Sequence, residues 1–115
     1  MIRLINNYND YVLVDTDTKE ELAKCLVLGG YCINIRDCVN VIWNVYVAEE
    51  FRRQGFATIM LQRIIKKYKD SRPLILYVYK DNVAAISLYE KLGFEIIGEY
   101  DGKENAWTMQ YVGGR

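Results

Sequence analysis

The sequence predicts an α+β, mixed α/β domain built on a mostly antiparallel sheet with one parallel βαβ step, its elements running β-β-β-α-β-α-β-β. Three observations predict it. β-Rich runs joined by short turns fill residues 11–47, the apolar spacing changes from two to three and four after Gly55, and an apolar run at 73–79 separates two helical patterns.

The first strand is expected at 11–16, "YVLVDT", rich in β-branched and aromatic residues, and "DTDTKE" then supplies turn formers. The second is expected at 22–35, with Gly29 and Gly30 marking a bulge or bend and Arg36-Asp37 a tight turn. The third, 38–47, alternates. Val39, Val41, Trp43, Val45 and Val47 are expected on one face, and Asn40, Ile42, Asn44 and Tyr46 on the other. These three form an antiparallel meander. From Gly55 to about Lys69, the apolar residues Ala57, Met60, Leu61, Ile64, Ile65 and Tyr68 fall at helical spacing. The run "PLILYVY" reads as a strand buried on both faces. Asp81 and Asn82 open a second helix that Gly93 ends, and "FEIIGEY" and "AWTMQYV" form a last hairpin around "DGKEN". The strands at 38–47 and 73–79 flank a helix, so they are expected to be parallel neighbours.

The chain of 115 residues suits one domain spanning 1–115. Fifteen basic and fifteen acidic residues cancel, which argues against nucleic acid or an anionic membrane as a partner. No run approaches the roughly 20 apolar residues of a membrane span, and the N-terminus shows no apolar signal region. A cytoplasmic location is expected. No histidine is present, which excludes Ser-His-Asp and Cys-His chemistry. Cys25, Cys32 and Cys38 lack metal-site spacing, so no metal is expected and the thiols read as reduced and buried.

The loop "EEFRRQG" joins a strand to a helix. Amides at a helix N-terminus have no partner inside the helix and carry the positive end of its dipole, which suits a phosphate. Gly55 lets a ligand approach the backbone, Ala57 is small, and Arg52 and Arg53 add charged donors. The loop is neither a P-loop, since no G-K-[ST] follows, nor a dinucleotide fingerprint, since a second glycine is missing. A plain turn with solvated arginines explains it as well.

Two stretches carry further information. "VYVAEEFRRQGFATIML" and "DNVAAISLYEKLGFEIIG" resemble the GNAT superfamily of acyl-CoA-dependent N-acetyltransferases. The family's pyrophosphate loop appears as Arg52-x-x-Gly55-x-Ala57. Its later segment appears as Asn82 through Leu88, Tyr89, Lys91, Gly93 and Phe94. The resemblance implies acetyl-CoA as cosubstrate and a primary amine as acceptor. It implies that the backbone of Val45, Tyr46 and Val47 pairs with the pantetheine arm. The pyrophosphate would rest on the amides of Arg53, Gln54, Gly55, Phe56, Ala57 and Thr58, beside Arg52. Asn82 would bond the pantetheine, and Tyr89 would protonate the leaving thiolate. Seven residues is close to two helical turns, so Asn82 and Tyr89 share a face about 10 Å apart along the axis. Lys91 is open to two readings, a phosphate contact or a solvated helix charge.

The chain departs from the family pattern twice. Many members carry a carboxylate base on the strand before the loop, where this chain has Trp43-Asn44, so no base is assigned. Family members also usually place one strand and two helices before the meander, whereas only "MIRLINNYND" precedes it here, with "MIRLI" expected as a vestige of the first strand. The expectation is an open acceptor side that suits a large acceptor, such as a protein lysine or N-terminus, or a second subunit in a homodimer. Two readings follow: an N-acetyltransferase, or an acetyl-CoA-binding regulatory or adaptor module without catalysis.

Overall fold

The computed structural model describes residues 1–33, 36–102 and 104–113. One seven-stranded sheet carries two α-helices. The strands are β1 (Ile2–Asn7), β2 (Asp10–Asp15), β3 (Glu21–Cys32), β4 (Cys38–Val47), β5 (Leu74–Tyr79), β6 (Phe94–Glu99) and β7 (Ala106–Tyr111). Helix α1 (Phe56–Tyr68) joins β4 to β5, and α2 (Val83–Leu92) joins β5 to β6. The sheet order is β1-β2-β3-β4-β5-β7-β6, with the β4–β5 pair parallel and the other pairs antiparallel.

The meander, the parallel step, both helices and the final hairpin stand where the sequence predicts them. One strand is additional. Residues 2–7 pair along their whole length with β2, from Ile2 opposite Asp15 to Asn7 opposite Asp10. The pairing takes in "MIRLI", expected as a vestige of the family's first strand, and runs two residues beyond it. The expected strand at 22–35 ends at Cys32, and Asn34 and Ile35 lie outside the described residues, as does Lys103 of the last turn.

Two irregularities shape β3 and β4. Gly29 and Gly30 produce the expected bulge: the register steps from Leu28↔Val41 to Tyr31↔Val39, so two residues of β3 oppose Asn40 alone. The Asn40 side-chain oxygen accepts from the Gly30 amide at 3.0 Å. The second bulge lies on β4. The register steps from Leu26↔Trp43 to Lys24↔Tyr46, which sets Asn44 and Val45 against Cys25. Asn44 has φ 54°, in the left-handed region that Asn tolerates better than β-branched residues. The extra residue reverses the faces beyond it. Val45 and Val47 pack against the same core as Ile42, contrary to the uninterrupted alternation expected across 38–47.

The main core lies between the sheet and the helices. Met60, Leu61, Ile64 and Ile65 of α1 meet Leu13, Ile42, Leu76 and Met109, with Tyr89 and Phe94 alongside. Each such aliphatic side chain contributes roughly 1.5–3 kcal/mol on burial. The opposite face carries a smaller cluster of Val39, Val41 and Ile75 with Leu28, Trp43 and Tyr77, to which neither helix contributes. β5 supplies both clusters, as its continuous apolarity predicts.

The cysteines differ from expectation. Cys32 and Cys38, the last rung of the β3–β4 pairing, form a disulfide. The reduced, buried reading holds for Cys25 alone. Cross-strand register, which a separation of six residues does not disclose, brings the other two together.

Candidate active site

The parallel ladder between β4 and β5 is short. It pairs Asn40, Val41 and Ile42 with Leu74, Ile75 and Leu76. Beyond Ile42 the bulge at Asn44 turns β4 away, while β5 stays paired to β7 from Ile75 to Tyr79. A cavity of about 230 Å³ opens in this gap. Residues 42–45 of β4 and 76–79 of β5 form its walls, joined by Asn82 and Tyr89 from α2 and by Tyr100 and Ala106. The lining comes from both sides of the sheet. Tyr89 and Ile42 belong to the helix-side core, and Trp43 and Tyr77 to the open-side cluster.

Asn82 caps α2, its side-chain oxygen accepting from the Ala85 amide at 3.2 Å. Such a cap contributes about 1 kcal/mol and leaves the amide NH₂ of Asn82 for another partner. At the other end of α2, Gly93 has φ 108°, and a Cβ there would stand 2.4 Å from the Gly113 carbonyl oxygen. Tyr89 is buried against Phe94, their rings 6.2 Å apart and edge-on. Burial pushes its phenol up to about 12, with a smaller contribution from Cys25. The phenol therefore keeps its proton well above neutral pH. Tyr77 is also raised, first by burial and then by Tyr100.

At the end of β4 the chain passes through a single 3₁₀ turn, Glu49–Phe51, into α1. Gly55, with φ 80°, is the N-cap and offers no side chain to the first turn. No atom lies within 4 Å of where its Cβ would stand. The Ile59 amide makes the first intrahelical bond, to the Gly55 carbonyl. The amides of Phe56, Ala57 and Thr58 precede it, and no acidic side chain stands in that turn. The entrance is thus electropositive and sterically open.

The flanking side chains are partly committed. Arg52 Nε donates to the Val47 carbonyl at 3.0 Å, and its guanidinium lies 5.8 Å from the Tyr46 ring centre. Gln54 donates to the Glu50 carbonyl, and Phe56 packs edge-on to Phe51. Arg53 is exposed at φ 66°. Tyr46 and Val47 pair with β3 on one side, Val45 sits in the bulge opposite Cys25, and all three lie past the last rung with β5 on the other. Lys91 is exposed in the last turn of α2 and does not line the cavity.

The aromatic wall of Trp43, Tyr77 and Tyr100 was not anticipated from the sequence. Its signal is the alternation of Trp43 with Val39 and Val41, and of Tyr77 with Ile75, onto the face without helices. Among the described residues no carboxylate lines the cavity, and Glu99 is paired with Lys80.

A sheet parted at its parallel step, with a bare helix entrance at the end of the parting strand, defines a mixed α/β fold with an open cleft. The chain belongs to the acetyltransferase (GNAT) family, whose model matches residues 3–94. It is 34% identical over 93 residues to N-alpha-acetyltransferase 20 of Dictyostelium discoideum, covering 70% of this chain and 54% of that protein. It is 37% identical over 73 residues to an N-alpha-acetyltransferase of Saccharolobus solfataricus, covering 57% and 44%. The chain thus spans about half the length of these relatives. Among solved structures, the NatC complex bound to Gag peptide and CoA superposes with a TM-score of 0.72 at 20% identity, covering 88% of this chain and 69% of that one. That likeness concerns the fold.

Proposed function

We propose that this chain transfers an acetyl group from acetyl-CoA to a primary amine by direct attack, with the α-amine of a peptide as acceptor. The observation that carries this reading is the cavity between the parted strands, walled by Asn82 and Tyr89 and walled also from the opposite face of the sheet. The diphosphate would rest on the amides of Phe56, Ala57 and Thr58, with Arg53 and Gly55 beside it. The pantetheine would lie along residues 45–47, past the end of the parallel ladder, with Asn82 donating to it.

Chemistry then follows from the groups present. The neutral amine nitrogen attacks the thioester carbonyl carbon. The tetrahedral adduct breaks its C–S bond, and the departing sulfur takes the proton held by Tyr89. The proton lost by the amine passes to water, since no carboxylate among the described residues lines the cavity, and water returns a proton to the Tyr89 phenolate to complete the cycle. Such a site favours amines that are already partly neutral. A peptide α-amine, with a pKa near 7.7–8.0, meets this condition far better than a lysine at about 10.4. The two relatives named N-alpha-acetyltransferases support the same choice.

The test is thiol release from acetyl-CoA with two peptides, one with a free N-terminus and methylated lysines, the other with a blocked N-terminus and free lysines. Release with the first peptide only is expected. Acetyl-CoA binding without release from either would instead favour a regulatory module.

A further inference from the structure

The helix-free face of β1, β2 and β3 holds a second cavity, of about 540 Å³. Its apolar floor follows from strand alternation. Leu13 belongs to the helix-side core, so Val12 and Val14 on either side of it point away from the helices, and Leu26 shares the face of Leu28. Ile5 stands opposite Val12, is 46% exposed, and completes the strip. A contiguous apolar strip on an open sheet face marks a surface built for contact.

Charges of both signs edge the strip. Lys24 stands opposite Val12, and Asp10 stands opposite Leu26 on the neighbouring rung. Arg3 and Glu21 flank Val14. All four are exposed, and none makes an ion pair among the described residues. An apolar centre with a charged rim is the anatomy of a protein–protein interface. This rim is balanced, two charges of each sign, so it complements a second copy of itself better than a partner of either net charge. A protrusion suited to the cavity stands beside it. Tyr8, in the β1–β2 turn, has φ 56° and is 93% exposed. A tyrosine ring buries a large apolar area while its hydroxyl tolerates water, which makes it a common interface anchor.

We propose that this face is the interface of a homodimer, in which the Tyr8 turn of each copy enters the cavity of the other. The twofold axis crosses the strands between the Asn7–Asp10 and Ile5–Val12 rungs. Tyr8 of each copy then packs over Val14 of the other, and Lys24 of each meets Asp10 of the other. Asn44 lines both this cavity and the one between β4 and β5, so each copy stands at the open side of the other's candidate site. The inference goes beyond the transferase reading and does not depend on it.

The test is sedimentation equilibrium of the full chain at micromolar concentration. The wild type is expected to be a dimer. Tyr8→Asn removes the ring and suits the left-handed backbone, and is expected to weaken association about thirtyfold or more. Lys24→Glu and Asp10→Lys each set like charges against each other across the twofold, and each is expected to be monomeric alone. Mixed in equal amounts, these two variants are expected to form a one-to-one heterodimer, because both contacts are then between opposite charges. Misfolding of either variant would not produce that rescue, and circular dichroism verifies the fold of each. A monomeric wild type, a Tyr8→Asn variant that associates as tightly as the wild type, a charge variant that dimerises alone, or a mixture that stays monomeric overturns the proposal. Thiol release from acetyl-CoA is measured in parallel. A dimer with this pattern but no release would contradict the transferase reading and leave the interface standing.

Discussion

Ile42 and Leu76 form the last rung of the parallel ladder between β4 and β5. Two residues further, Asn44 adopts φ 54° and β4 bends away, so the cavity begins where the ladder stops. A single backbone conformation therefore links the sequence to the opening that the proposed chemistry needs.

Asn44→Val should place a β-branched residue in the left-handed region and destabilise the fold by about 1–2 kcal/mol. Asn44→Gly should be close to neutral, and the valine variant should also bind acetyl-CoA more weakly. Urea unfolding of both variants reads the first effect. Equal stability of the two would mean that the bulge does not depend on this residue.

Gly55→Val should separate stability from binding. The Cβ position is empty, so the folding cost is the positive φ alone, again about 1–2 kcal/mol. The new side chain would stand beside the first-turn amides, and acetyl-CoA affinity should fall more than tenfold. A variant that binds as well as the wild type would move the diphosphate elsewhere.

Tyr89→Phe should lower kcat by about a hundredfold or more and leave acetyl-CoA affinity unchanged. The sign of the pH dependence follows from the raised phenol. An acid must hold its proton, and a pKa of about 12 keeps Tyr89 protonated through the range in which amines titrate. The rate should therefore rise with pH along the acceptor's own amine titration, with no fall near pH 10. A decline there, at the ordinary phenol value, would contradict the burial of this group.

Cys25 is buried and its thiol is pushed up to about 12 by that burial, while Cys32 and Cys38 are joined. The native protein should show no thiol reactive toward a disulfide reagent at neutral pH. Unfolding should expose one, and unfolding with reductant all three. A native protein with two reactive thiols would refute the Cys32–Cys38 pairing.

Much of the fold was legible because period and punctuation agree. The three-and-four spacing of Met60, Leu61, Ile64 and Ile65 marks α1. Asn82 and Gly93 bracket α2, and Gly29-Gly30 marks the bulge in β3. Asn44 concealed the other bulge, because it sits within an unbroken alternation and only its φ reveals the extra residue. For residues 2–7 the family resemblance suggested a remnant strand at "MIRLI", and pairing with β2 defines its full length. Of the candidate site, Asn82 and Tyr89, which line the cavity, and Gly55, which caps α1, were singled out by the family resemblance. Trp43, Tyr77 and Tyr100 were not, because they come from three separate segments and meet only when the sheet closes.

A structure of the chain with acetyl-CoA bound tests the central claim most directly. The account predicts the diphosphate on the amides of Phe56, Ala57 and Thr58, and the thioester between β4 and β5, its sulfur within hydrogen-bond reach of the Tyr89 hydroxyl. Coenzyme bound elsewhere on the sheet, or none at saturating concentration, would contradict it.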